Sequence, residues 1–180
     1  MRKKPFGGKK MEGLQADLPY PETAGISEDA YSVRVISPAY ADRGSEMTAI
    51  LQYVFQAIVL QKQGLEEYAK TLERIAVAEM HHLEILGSLL YQLGALPVFT
   101  SCPPRKFDFY STGAVSYASD VRKMILDDIL GETQAIYTYE EMIRKLKDEK
   151  VSAIIARIVL DEKLHLETLK NILRELNKQE

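Results

Sequence analysis

The chain has 180 residues, 46% of them hydrophobic and 27% charged, with a formal net charge of -3. One domain with a sizeable core is the expectation at that length, and a charge so near balance excludes the basic surface that recruits nucleic acid or an anionic membrane. A single cysteine, Cys102, excludes an intramolecular disulfide and fits a reducing cytoplasm.

Residues 1–41 are rich in Pro, Gly and charge and read as an irregular N-terminal arm, with room for a short extended or helical piece around Tyr31–Ile36. The basic start Met1-Arg2-Lys3-Lys4 is followed by Pro5 and two glycines rather than an apolar stretch, so a secretory signal is not expected. Helical periodicity begins near Asp42 and runs to Lys62, and Gly64 marks a short turn. A second helix is expected from Leu65 to Leu93, closed by Gly94. Residues 95–117 carry Pro97, Pro103, Pro104 and Gly113 and lose all periodicity. A third helix should start at Ser119 or Asp120 and reach Lys147; Asp148 caps a fourth that ends near Leu176. Residues 42–178 thus predict an all-α four-helix bundle, two antiparallel hairpins joined by one long crossover. No apolar run approaches membrane-spanning length, so no membrane association is expected.

Two of these helices carry Glu-x-x-His. Glu79 and His82 sit among Ile75, Ala78, Leu83, Leu86 and Leu90; Glu162 and His165 sit among Ile155, Ile158, Val159, Leu166 and Leu169. At a spacing of three the carboxylate and the imidazole share one helix face, here an apolar, core-facing one. A buried carboxylate needs a partner, and a cation shared with the histidine supplies it. With 17 glutamates and three histidines in the chain, chance gives roughly 0.3 such matches. Two matches in the same context read as a metal site. His81, rotated about 100° from His82, belongs to a helix flank.

The other two helices carry Glu46 and Glu132. Aligned on these, both stretches have Ala at +3, Ile at +4 and Tyr at +7; aligned on Glu79 and Glu162, both have His at +3, Leu at +4, Glu at +5 and Leu at +7. The chain reads as an internal duplication, each half giving Glu and then Glu-x-x-His. Four carboxylates and two neutral imidazoles are neutralised by two divalent ions, the charge state that a low-dielectric core favours.

One Glu from each of two helices and Glu-x-x-His from each of the other two resembles the ligand set of the ferritin-like di-iron and di-manganese carboxylate bundles. The stretch Ala78-Glu79-Met80-His81-His82-Leu83-Glu84-Ile85-Leu86 is most similar to the branch of rubrerythrins and manganese-catalase relatives. The resemblance spans roughly residues 42–178 and includes no rubredoxin-type segment with paired Cys-x-x-Cys. It implies that Glu79 and His82 serve one ion and Glu162 and His165 the other, with Glu46 and Glu132 terminal or bridging. Iron is the favoured ion, manganese an alternative and zinc a substitute; no catalytic residue beyond the ligands is implied. Asp128 and Asp161 are candidates to accept a histidine Nδ1 proton. Tyr53 and Tyr139 stand two turns beyond the paired glutamates, as hydrogen-bond donors near the site or as core packing.

The activity implied is that of an oxidoreductase that reduces or disproportionates hydrogen peroxide or activates O₂, with an external electron-donor protein if it is a peroxidase. Ferroxidase and iron storage, or a metal-stabilised coat or scaffold role, are the alternatives. A homo-oligomer, a dimer first, is the expected assembly.

Overall fold

The computed structural model describes residues 12–178, whose regular elements are helices apart from one isolated β-bridge between Thr100 and Phe109; the basic decapeptide at the start of the chain lies outside them. Among the described residues there are five α-helices: α1 (Ala30–Ala41), α2 (Glu46–Lys62), α3 (Glu66–Gln92), α4 (Val121–Lys145) and α5 (Glu149–Leu176), with a 3₁₀ turn at Thr112–Ala114. Helices α2 and α3 form one hairpin and α4 and α5 the other, joined by the long crossover. This is the ferritin-like arrangement.

The hairpin turns follow local chemistry. Gly64 and Gly94 adopt φ of 79° and 92°, which a side chain would resist. Asp120 and Asp148 cap α4 and α5 by accepting backbone N–H bonds from Lys123 and from Lys150 and Val151. No helix among the described residues is long and apolar enough to cross a membrane.

The apolar core is split in two. One cluster joins Tyr53, Ala57 and Leu60 of α2 to Leu72, Ile75 and Ala76 of α3, Met124 and Ile125 of α4, and Leu169, Ile172 and Leu176 of α5. The other joins Leu86, Leu89 and Leu90 of α3 to Tyr139 and Met142 of α4 and Ile154, Ile155 and Ile158 of α5. The buried acidic and histidine residues lie between them along α3, α4 and α5.

Helix α2 begins only at Glu46, so it has no residues to give the second cluster. Helix α1 supplies that missing wall with Val33, Ile36, Ala39, Tyr40 and Ala41. The expectation of an irregular arm over residues 1–41 is therefore corrected for residues 30–41, and the helix expected from Asp42 starts at Glu46 instead. Helix α1 forms despite Pro38, which supplies no N–H to its last turn. It is capped by Asp29, which accepts from the backbone N–H groups of Tyr31 and Ser32 and whose own N–H is held by the Leu93 carbonyl at 3.1 Å. The Tyr40 ring lies so close to Gly87 that a Cβ there would approach it to 3.2 Å.

Candidate metal centre

Glu46, Glu79, His82, Glu132, Glu162 and His165 all meet between the two apolar clusters, and each is at most 5% exposed. Their side-chain donors form two overlapping groups, Glu46–Glu79–His82–Glu162 and Glu79–Glu132–Glu162–His165, each with ligand atoms within 4.8 Å of one another. Glu79 and Glu162 belong to both groups; Glu46 and Glu132 belong to one each. His82 Nδ1 lies 2.9 Å from Glu79 Oε2 and 3.3 Å from Glu162 Oε1. His165 Nδ1 lies 3.2 Å from Glu162 Oε2 and 3.0 Å from Glu79 Oε1. The duplication seen in the sequence thus becomes an approximate twofold arrangement, with the two rings 5.9 Å apart.

The tyrosines cross that twofold. Tyr53 of α2 donates to Glu132 of α4, and Tyr139 of α4 donates to Glu46 of α2. Each is buried, and burial first, then the facing carboxylates, raises both phenols well above their usual range. Each glutamate of the single-carboxylate pair is therefore held by the helix of the other repeat.

Charge in the cluster is shared unevenly. Burial, reinforced by Glu79 and Glu162, raises the Glu46 carboxyl far above its usual range, and burial with the same two neighbours does so for Glu132. Burial also opposes the ionisation of Glu79, yet the imidazoles of His165 and His82 outweigh it and hold that carboxyl low. Glu162 is likewise held low against burial and against Glu79. Burial disfavours the imidazolium of both histidines, but the carboxylates around them prevail and raise both. The raised acids and raised imidazoles thus offset part of the charge of the four carboxylates when no other cation is present. Even so, Glu79 Oε1 and Glu162 Oε1 are buried without a well-formed hydrogen bond. The donor set, four carboxylates and two imidazoles with orphaned oxygens at the two shared residues, fits a pair of divalent ions.

The outward nitrogens of the two histidines have different partners. His82 Nε2 lies 3.1 Å from Asp161 Oδ2. His165 Nε2 lies 2.8 Å from the carbonyl oxygen of Leu14, in the N-terminal segment. The aspartate thus meets Nε2 rather than the expected Nδ1, which leaves Nδ1 aimed at the carboxylates.

Asp128 reaches neither histidine. Its Oδ1 accepts from the amides of Gln52 at 2.8 Å and Gln56 at 3.0 Å, because its position on α4 faces α2 rather than α3 or α5. Burial, only partly offset by those amides, pushes its carboxyl up to about 7.

Residues 12–20 form a strap across α3 and α5 that sequence reasoning missed. The Leu14 N–H donates to the Arg74 carbonyl at 3.0 Å, and the Ala16 N–H and the Tyr20 hydroxyl each donate to Asp161 at 2.6 Å. Arg157 donates to the Leu18 and Ala16 carbonyls and, at 2.7 Å, to Asp161. Arg74 Nε donates to the Glu12 carbonyl at 3.4 Å. Burial opposes the charge on Asp161, but the bonds from His82, Tyr20, Ala16 and Arg157 hold its carboxyl below the usual carboxylate range.

The two repeats explain why the strap lies where it does. Arg74 and Arg157 occupy the same position, five residues before Glu79 and Glu162. Ala78 occupies the position that Asp161 holds in the other repeat, and Gly13 packs on it so closely that a Cβ would lie 3.0 Å from the Ala78 nitrogen. Asp161 of α5 thus serves His82 of α3, whereas α3 has the small Ala78 at that position and His165 of α5 receives a backbone carbonyl instead. The paired arginines were the sequence signal that could have found the strap.

The rubrerythrin family profile matches residues 44–173. The chain belongs to the rubrerythrin family. A curated relative, a bacterioferritin of Desulfovibrio desulfuricans, is 28% identical over 152 residues, covering 83% of this chain and 79% of the relative. The solved bacterioferritin from Desulfovibrio desulfuricans, described as having a di-iron site, superposes with a TM-score of 0.72 at 26% identity, covering 86% of each chain. A manganese catalase from Anabaena superposes with a TM-score of 0.75 at 20% identity, over 91% of this chain and 80% of the catalase, and thus shares the fold.

Two outcomes are expected. Asp161→Ala strands the buried Arg157 guanidinium and the outer nitrogen of His82, and should cost about 3–5 kcal/mol in denaturation of the metal-free protein; Asp161→Asn should cost less. Asp128 stays protonated in the folded chain between its ordinary 3.8 and about 7, so the unfolded state ionises first and stability falls as pH rises through that window. Relative to wild type, Asp128→Asn should gain stability from pH 4 to pH 7, by at most about 4 kcal/mol; a pH-independent difference would refute the raised carboxyl.

Proposed function

We propose that the protein is a dinuclear iron or manganese oxidoreductase that acts on peroxide. The observation that carries this reading is the pair of overlapping carboxylate–imidazole groups joined through Glu79 and Glu162. In this reading Glu79 and Glu162 would be shared by the two ions, Glu46 and His82 would help hold one, and Glu132 and His165 would help hold the other. Bound iron or manganese would supply the one-electron steps that peroxide reduction or disproportionation requires.

The chain's own groups hold the arrangement. Asp161 and the Leu14 carbonyl each accept a hydrogen bond from a histidine Nε2–H, which leaves Nδ1 of both histidines free to ligate. Tyr53 and Tyr139 fix the outer glutamates across the twofold. A cavity beside α2 and α4 reaches Glu46, Glu79, Glu132 and Glu162, giving a small oxidant a way in. A peroxidase cycle needs electrons from an external donor protein; a catalase cycle does not.

A second reading, oxidation of ferrous ion for storage, is favoured by the 28% identical relative named as a bacterioferritin. Protein purified without chelator should carry about two iron or manganese ions per chain and consume hydrogen peroxide, and dependence on an added donor separates peroxidase from catalase. Metal without peroxide loss, in a large hollow particle, would transfer the assignment to iron storage. Glu79→Ala should empty both positions, whereas Glu46→Ala should lose about one ion.

Loading also moves protons. The carboxyls of Glu46 and Glu132 and the imidazoles of His82 and His165 are all raised in the metal-free chain, and ligation requires their unprotonated forms, so binding of two ions should release protons and tighten as pH rises. No release in a pH-stat titration would place the ions elsewhere.

A further inference from the structure

The cavity beside α2 and α4 is larger than hydrogen peroxide needs. Its volume is about 450 Å³. Two ions and one peroxide take up roughly 120 Å³ if each ion and oxygen is counted as one water, so most of the space lies beyond the carboxylates. The total falls within the roughly 300–1,000 Å³ of pockets that hold small organic molecules.

Most of its wall is apolar, and the room comes from small residues at repeated positions. Ala49 and Ala135 each stand three residues after the outer glutamate of their helix, so one Cβ from each repeat lines the space above its own carboxylate. Gly44 and Gly131 line it too, and a Cβ at either would meet nothing within 4 Å. Close packing therefore does not require these glycines. The wall also holds Asp128, whose Oδ1 is occupied by two glutamine amides and whose Oδ2 is buried with no partner.

We propose that this cavity holds the organic body of an alkyl or aryl hydroperoxide, with the O–O end at the rim formed by Glu46 and Glu132 and the apolar body against Ala49, Ala135 and Leu130. The inference rests on the dinuclear peroxide reading and names the substrate class of that site. Hydrogen peroxide has no part that matches an apolar wall. A hydroperoxide joins the oxidant and an apolar body in one molecule, as the cavity joins a carboxylate rim to an apolar chamber. The O–O bond accepts two electrons, one from each of two divalent ions, and two protons from solvent, and ROOH leaves as ROH and H₂O. A thiol or a redox protein then returns the two electrons to the ions.

The test is calorimetric titration of the full chain, metal-free and zinc-loaded, with 2-phenyl-2-propanol, the alcohol formed from cumene hydroperoxide. Saturable binding at one site per chain is expected. Ala49→Phe and Ala135→Phe, with Ala49→Leu as a milder plug, should weaken it by about tenfold while metal content stays at the wild-type level. In iron- or manganese-loaded protein the same plugs should lower kcat/KM for cumene hydroperoxide relative to hydrogen peroxide by about tenfold. Hydrogen peroxide turnover without alcohol binding, or plugs that change neither binding nor the ratio, would overturn the cavity assignment alone. Alcohol binding in a loaded protein that turns over no peroxide would overturn the dinuclear reading, and the hydroperoxide class with it.

Discussion

Everything in this fold is arranged around the cost of placing four carboxylates in a dry interior. Two of them, Glu79 and Glu162, stay ionised because two imidazoles face them, and the other two, Glu46 and Glu132, are driven toward the neutral acid by burial and by that same pair. A layer of this kind cannot sit inside a continuous apolar core. The core is accordingly divided into two clusters with the charged layer between them. Helix α1 exists in its position because the cluster of Leu86, Tyr139 and Ile155 would otherwise have three walls.

The approximate twofold explains much of the detail. Each tyrosine serves the glutamate of the other repeat, so neither half of the centre is complete without its counterpart. The symmetry ends at the outer nitrogens of the histidines. There α5 offers Asp161, locked by Arg157, while α3 offers the small Ala78 and lets the strap bring in a carbonyl. One side of the centre is thus braced by a side-chain ion pair, the other by the main chain.

Much of this was legible in the sequence, and the parts that were not have physical reasons. Glu-x-x-His on an apolar stripe, the matched Glu46 and Glu132, and the breaks at Gly64 and Gly94 are local signals, and each depends on residues within one or two turns. Of helix α1 only a short piece around Tyr31–Ile36 was in view, because Pro38 violates a local rule that long-range packing of Ile36 and Tyr40 overrides. The strap was hidden because most of its bonds run through backbone carbonyls and N–H groups, which leave no residue-type pattern. Asp128 shared the inward stripe that suggested a histidine contact, but helix periodicity fixes only the side of the helix, and the neighbour on that side is α2. The family profile and the solved relatives agree on the fold.

The strap also bears on how the chain comes to be folded. Leu14 and His165 are 151 residues apart in sequence, and contacts of that range pay the full entropy of closing the intervening loop before they return anything. On the ribosome the N-terminal segment emerges first and must wait for the last helix before its carbonyl finds the imidazole. The final brace of the centre therefore forms only once α5 has been made, and a product cut short before His165, however helical, would lack it.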